Sequence, residues 1–225
     1  MNESEVEMIL DAALLDLGNV VMQANNAITR IKAAKVVSSP LAPPSHFRSF
    51  WQSHPTFANV VLSDYRNRTG RTWGCYIACF ADVAFAFGDE IATPLEMYKR
   101  LRSKNAINEK GNTAARYLPE ISEVVRYDGD EVVGWPSNAL LAQIPSQRMR
   151  ECIQNGGLLI AHVDMTKGDN TFVHHYVVIY EINGDEMIMA DPLRGDFGKN
   201  LLDRYARGVQ DVSFFFPNRP FAGGG

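Results

Sequence analysis

The sequence changes its grammar at Gly156-Gly157, and no fold built from a single element type accommodates both halves. Upstream, the marks are those of helices. Gly74 and Gly88 frame Cys75 to Phe87, a run apolar nearly all round, and Gly88 suits the residue just past a helix end. Thr93, Pro94 and Glu96 combine a cap, a first-turn proline and a capping-box partner, predicting a helix to about Ser103. A shorter helix is expected over Asn112 to about Glu120, and Ser146 caps another that stops at Gly156-Gly157. Downstream, LLIAHVD, VHHYVVIYEI, EMIMA and VSFFF are short runs of β-branched, aromatic and other apolar residues, with Asn183-Gly184 as a tight turn between two of them. They predict an antiparallel sheet. One further run, EVVRYDGDEVVGW, alternates about Asp128-Gly129 and reads as a small hairpin. Helices first and strands second predict an α+β domain of two lobes with a cleft between them, rather than alternating βαβ units.

Ahead of this lies a different segment. Val6, Ile9, Leu10, Ala13, Leu14, Leu17, Val20 and Val21 recur at three- and four-residue steps behind a Ser4/Glu7 capping box, so a long amphipathic helix is expected over 1–37. It either packs on its own domain or docks on a partner. SSPLAPPS (38–45) breaks any helix, and 38–59 is read as a proline-rich linker and approach segment to a domain over 60–225. A chain of 225 residues has room for that division, since domains average about 150.

Composition narrows the function classes. With 46% hydrophobic and 21% charged residues the chain can bury an ordinary core. Its formal charge is −4 and it has no block of like charges, so neither nucleic acid nor an anionic membrane surface is an expected partner. The longest greasy stretch, Tyr76 to Phe87, has twelve residues and contains Asp82, short of the roughly 18 of a spanning helix. MNESEVEM opens with carboxylates where a secretory signal carries positive charge, which points to cytoplasmic synthesis without a cleaved signal. Three cysteines, Cys75, Cys79 and Cys152, are too few for a disulfide framework and serve reactivity or packing.

Of the three, Cys75 has the setting of a nucleophile. It follows Gly74, which admits close backbone approach, and opens a helix whose unpaired amides and dipole favour negative charge. Cys79 lies one turn further along an apolar stripe and is expected in the core. A base is offered by His174 and His175, of which only one can face a given side of a strand. Asp191 follows His175 by 16 residues, just past the strand that the turn folds back, and Pro192 ends the ladder there. The hairpin would therefore bring imidazole and carboxylate together. Arg71 and Arg194 flank these motifs and are read mainly as solvated charge.

Two of these segments resemble a known family, the papain-like cysteine peptidases that process double-glycine leader peptides of bacteriocins. GCYIACFADVAFAFG (Gly74 to Gly88) is similar to that family's nucleophile helix, second cysteine and closing glycine included, and HYVVIY with NGDEMIMADPLRG (His175 to Gly195) is similar to its histidine strand, hairpin and aspartate turn. The likeness spans about residues 60 to 216. It implies a papain-like two-lobed fold, a Cys75, His175, Asp191 triad, no cofactor or metal, and a protein or peptide substrate cut after small residues such as Gly-Gly. His175 is preferred because it directly precedes the aromatic-Val-Val run. One departure stands out. The family usually carries an oxyanion-hole glutamine six residues before the nucleophile, where this chain has Thr69; Asn67 and Gln52 are the residues able to replace it. Members of the family are commonly fused to transporters, so this chain raises the expectation of a toxin or effector delivered to another cell, with a cognate inhibitor or immunity protein, or of a peptidase carried by a phage or mobile element.

Three other readings compete. The same thiol chemistry on a side-chain amide would make a glutamine deamidase or a peptide amidase. A decayed oxyanion hole would leave a noncatalytic binding module. Cys75-x₃-Cys79 with His174 or His175 would supply metal ligands, although structural zinc usually takes closely spaced pairs on turns.

Overall fold

The computed structural model describes residues 47–133, 142–166 and 173–218. The helix and linker expected over 1–45 and the terminal Gly223 to Gly225 lie outside the described residues. In chain order the elements are α1 (Pro55–Ala58), β1 (Val61–Ser63), a 3₁₀ turn (Tyr65–Asn67), β2 (Arg68–Thr69), α2 (Gly70–Trp73), α3 (Cys75–Ala86) and α4 (Pro94–Ser103). There follow a 3₁₀ turn (Ala115–Tyr117), α5 (Leu118–Ile121), β3 (Val125–Val132), α6 (Gln147–Gln154), β4 (Leu158–Asp164), β5 (His174–Asn183), β6 (Glu186–Asp191), β7 (Asp196–Asn200), α7 (Leu201–Arg204) and β8 (Val209–Pro217). The fold is α+β. Strands β3-β8-β4-β5-β6-β7, in that spatial order, form an antiparallel sheet.

The caps explain where the longer helices begin and end. Thr93 accepts from the Glu96 amide at the start of α4, and Ser146 Oγ from the Met149 amide at 3.3 Å at the start of α6. At the other end of α3, Gly88 takes φ +102° and its amide reaches Phe85 O, while the Asp89 amide reaches Ala84 O. These two bonds are a Schellman closure, which the left-handed glycine permits. Gly74 does a different job. Its φ is −88°, but an added Cβ would lie 2.3 Å from Gly70 O and 2.5 Å from the Phe57 ring, so close packing, not torsion, demands glycine there.

The sheet carries apolar cores on both faces. Against one face lie α3, α4 and α5, with Phe80, Met97, Leu101, Leu118, Val178 and Phe215. On the other lie α6 and α7, with Met149, Leu159, Val177, Ile179, Met189 and Phe214. The helices of the first half thus do not gather into one layer: α6 crosses to the opposite face.

Four features differ from the sequence reading. Asp128-Gly129 makes no hairpin; β3 runs straight through it along β8, with a register slip between Tyr127 and Asp130 and Gly129 at φ +95°. A glycine at positive φ can serve a bulge as well as a tight turn, so the local signal could not separate them. The helix expected over 112–120 starts later, because Pro119 lacks an N–H and is tolerated only in a first turn, which α5 supplies. The hairpin between β5 and β6 turns on Gly184-Asp185 rather than Asn183-Gly184, since Asn183 still pairs with Glu186. β7 carries no strand signal of its own and is held by β6.

The segment 47–54, read as an approach to the domain, is built into it as a strap. Phe47 packs at a tilt against Tyr180 and Phe197, Phe50 meets Phe85 edge-on, and Trp51 Nε1 donates to Leu193 O at 3.0 Å. The Phe50 amide donates to Asp82 Oδ1 at 2.5 Å. Asp82 is fully buried on α3, its Oδ2 has no partner among the described residues, and burial pushes its carboxyl well above the ordinary range despite the Phe50 amide. A carboxyl raised in this way stabilises the fold only at low pH, and its contribution is lost as the pH climbs. Asp82→Asn, which keeps the acceptor and cannot ionise, is therefore expected to melt above the native chain at pH 8, with the gap closing toward pH 4; calorimetry across that range checks it.

Candidate functional site

β5 and β6 deliver the first pair of side chains. Residues Tyr176, Val178 and Tyr180 of β5 join the core on the α3 face, and Val177 and Ile179 join the core on the α6 face. Register decides which histidine follows which set. Near the turn, Ile182 pairs with Met187 and Glu181 with Ile188; beyond it, Ile179 pairs with Met189 and Val178 with Ala190. The extra residue is Tyr180. A strand alternates with period two, so one inserted residue exchanges its faces. Without that bulge His174 would fall on the side of Asp191. With it, His175 does.

The result is a buried pair. His175 Nε2 lies 2.8 Å from Asp191 Oδ1, with His175 2% and Asp191 0% exposed. Asp191 has three further donors: the Leu193 amide to Oδ1 at 2.9 Å, the Tyr205 hydroxyl to Oδ2 at 2.7 Å, and Arg204 Nε to Oδ2 at 3.1 Å. A buried ion costs several kcal/mol to desolvate, and four donors, of which charged ones contribute about 1.5–3 kcal/mol each, offset that cost. Burial works to raise the Asp191 carboxyl, yet His175 first, then Tyr205 and the Leu193 amide, hold it below the usual carboxylate range. Neither Arg204 nor Tyr205 carries a motif that could single it out in the sequence; α7 brings both beneath Asp191 only after β7 has paired.

Cys75 approaches the same ring from the first turn of α3. Burial alone would lower the His175 pKa, but Asp191 first and Cys75 second raise it, to about 9. With Nε2 engaged by Asp191, Nδ1 is the ring nitrogen available to the sulfur. The Cys75 side chain interacts with the His175 ring and contributes to its raised pKa. Cys75 is partly accessible, whereas Cys79 and Cys152 are buried and burial raises both thiols, Cys152 to about 12. Only Cys75 therefore combines access with an imidazole.

His174 belongs elsewhere. Its Nδ1 lies 2.8 Å from Nε2 of His162, whose Nδ1 is 2.9 Å from Asp211 Oδ2, and the two rings stack. Burial, then His162, lower the His174 pKa. Tyr176 continues the column between His162 and Tyr76, the residue after Cys75.

The head of α3 also receives Gln52. Its amide donates to Pro192 O at 2.9 Å, next to Asp191, and its Nε2 donates to Arg71 O at 2.6 Å. Arg71 O is the carbonyl that the Cys75 amide would use in a continuous helix, so the glutamine side chain sits where α3 starts. Gln52 is 3% exposed and its Oε1 has no partner among the described residues. Asn67 is exposed in the β1–β2 connection, and Thr69 forms a capping box with Thr72 on α2. Of the two residues named as replacements for the usual glutamine, Gln52 is the one brought to the helix head.

No protein-family model matches this chain, and no curated protein matches it. No helix among the described residues is long and apolar enough to cross a membrane.

A histidine pKa raised above its unfolded value of about 6.5 stabilises the fold fully below that pH and ceases to as the pH rises through about 9. The melting temperature is expected to fall between pH 7 and 10, and His175→Gln should remove that component. NMR titration of the ring in Asp191→Asn should show its pKa dropping toward and below 6.5, since burial then acts with less opposition. Tyr205→Phe leaves one lone pair of Asp191 without its donor and should cost about 1–3 kcal/mol in denaturant unfolding.

Proposed function

We propose that this protein is a papain-like cysteine peptidase in which Cys75, His175 and Asp191 act together. The observation that carries the reading is the His175 ring, engaged on Nε2 by a buried carboxylate and acted on from α3 by the one accessible thiol. An antiparallel sheet presenting histidine and aspartate on adjacent strands, with a cysteine-headed helix against it, is the arrangement expected of that fold. In the reaction, Cys75 Sγ attacks the scissile carbonyl carbon, and the proton of the pair resides on His175 Nδ1. The tetrahedral oxyanion faces the first amides of α3, which have no intrahelical acceptor, and the second N–H of Gln52 Nε2. Collapse breaks the C–N bond, the amine leaves with the Nδ1 proton, and a thioester remains. Water, deprotonated by Nδ1, then releases the acid and the thiol. Asp191 keeps the ring oriented throughout. No metal or cofactor is required for these steps.

The substrate proposed is a polypeptide cut after small residues such as Gly-Gly. A glutamine held at the helix head favours this catalytic reading over a binding module with a decayed oxyanion hole. Terminal-peptide mass spectrometry on a proteome treated with the active chain or with Cys75→Ala should give new termini only in the first. A one-dalton gain without new termini would instead mean deamidation, and neither change would overturn the catalytic reading. Gln52→Ala is expected to lower kcat about 10²-fold with little effect on KM, as loss of one oxyanion donor does.

A further inference from the structure

From the surface leading into Cys75 we infer that an acidic stretch of the polypeptide substrate docks on the cations Arg66, Arg68 and Lys110. This rests on the peptidase reading for the identity of its partner. The charges are held up by aromatic rings: the Arg66 guanidinium lies 5.2 Å from the Tyr65 ring centre, and that of Arg68 lies 5.0 Å from Tyr65 and 3.6 Å from Trp73. Trp73 stands two residues before Cys75, and its Nε1 donates to Asn112 Oδ1 at 2.8 Å, as Arg68 does at 3.1 Å. Arg68 also donates to Lys110 O, which ties the 108–112 loop to the same surface. The patch is therefore contiguous with the helix head.

In a chain of net charge −4, none of these three cations forms an ion pair among the described residues. Arg66 and Asn67 moreover take φ +55° and +52°. Asparagine tolerates that region, but an arginine there is strained, and folding alone would favour glycine. At that torsion the guanidinium lies over the exposed Tyr65 ring. A peptide fits better than a nucleic acid, because the faces of Tyr65 and Trp73 on which bases would stack are already taken by guanidinium groups, and the overall negative charge repels a long polyanion.

The test uses the full chain as Cys75→Ala and labelled short peptides, alike except that Gly-Gly is flanked by several glutamates or by glutamines. By fluorescence anisotropy at low ionic strength the glutamate peptide should bind about tenfold more tightly, with the gap collapsing in high salt. Arg66→Gln with Lys110→Gln, both exposed and leaving Arg68 in place, should close the gap, whereas Arg66→Lys with Lys110→Arg should preserve it. Equal binding of the two peptides, or a gap that survives the glutamine variants, overturns the inference. A single-stranded oligonucleotide that displaces the peptide at lower concentration overturns the choice of partner. Charge-dependent binding without cleavage by the native chain would sink the peptidase reading and leave the surface standing. Cleavage of both peptides at equal kcat/KM would do the reverse.

Discussion

The bond between His175 and Asp191 depends on one inserted residue. Both side chains are buried, both need a partner of opposite character, and each sits on a strand whose faces alternate wherever its ladder is regular. The bulge at Tyr180 sets the two strands in phase. Were the ladder regular, His174 and not His175 would share the face of Asp191. Tyr180 is itself held from outside, stacked at 4.7 Å and 6° on Phe197 of β7 and packed on Phe47. The register is thus secured by the edge strand and by the strap.

That strap gives the site its second constraint. Phe47, Phe50, Trp51 and Gln52 fasten one stretch of chain to β5, β7, α3 and the Asp191 turn in succession. Gln52 bridges the two halves of the site, its backbone on Pro192 and its side chain on Arg71. A glutamine reaching the helix head from this direction does not need the spacing that the resemblance implies, since geometry at the carbonyl, not distance along the chain, decides whether a donor can serve an oxyanion. The proposed cation surface shares this logic: α2 and the turn before it place Trp73 and Arg68 close before Cys75 while leaving Arg66 open to solvent.

Much of the fold was legible because its signals are local. The caps at Thr93 and Ser146, the close approach at Gly74 and the closing glycine at 88 follow from backbone groups within one turn. The runs from Leu158, Val173 and Glu186 announce strands through side chains suited to a buried pleat. Where signals were shared between outcomes, they misled: a positive-φ Asp-Gly serves a bulge as well as a turn, and β7 exists because β6 offers a free edge. Within the site, Cys75 and Asp191 stand at element ends that the sequence marks. The choice between His174 and His175 rested on resemblance, because alternation separates the two without saying which side is which.

By itself the sequence determined the element types of the central helix and of β4 to β6, the chemical kinds of residue at their ends, and a net charge unsuited to long-range attraction of polyanions. Short-range steric and hydrogen-bonding preferences suffice for all of these. Only the tertiary structure decided that Tyr180 is bulged, that His175 rather than His174 meets Asp191, that Arg204 and Tyr205 complete the carboxylate's shell, and that Gln52 reaches the head of α3. Each of these depends on the pairing of residues far apart along the chain, and pairing is fixed by which faces the whole sheet must bury.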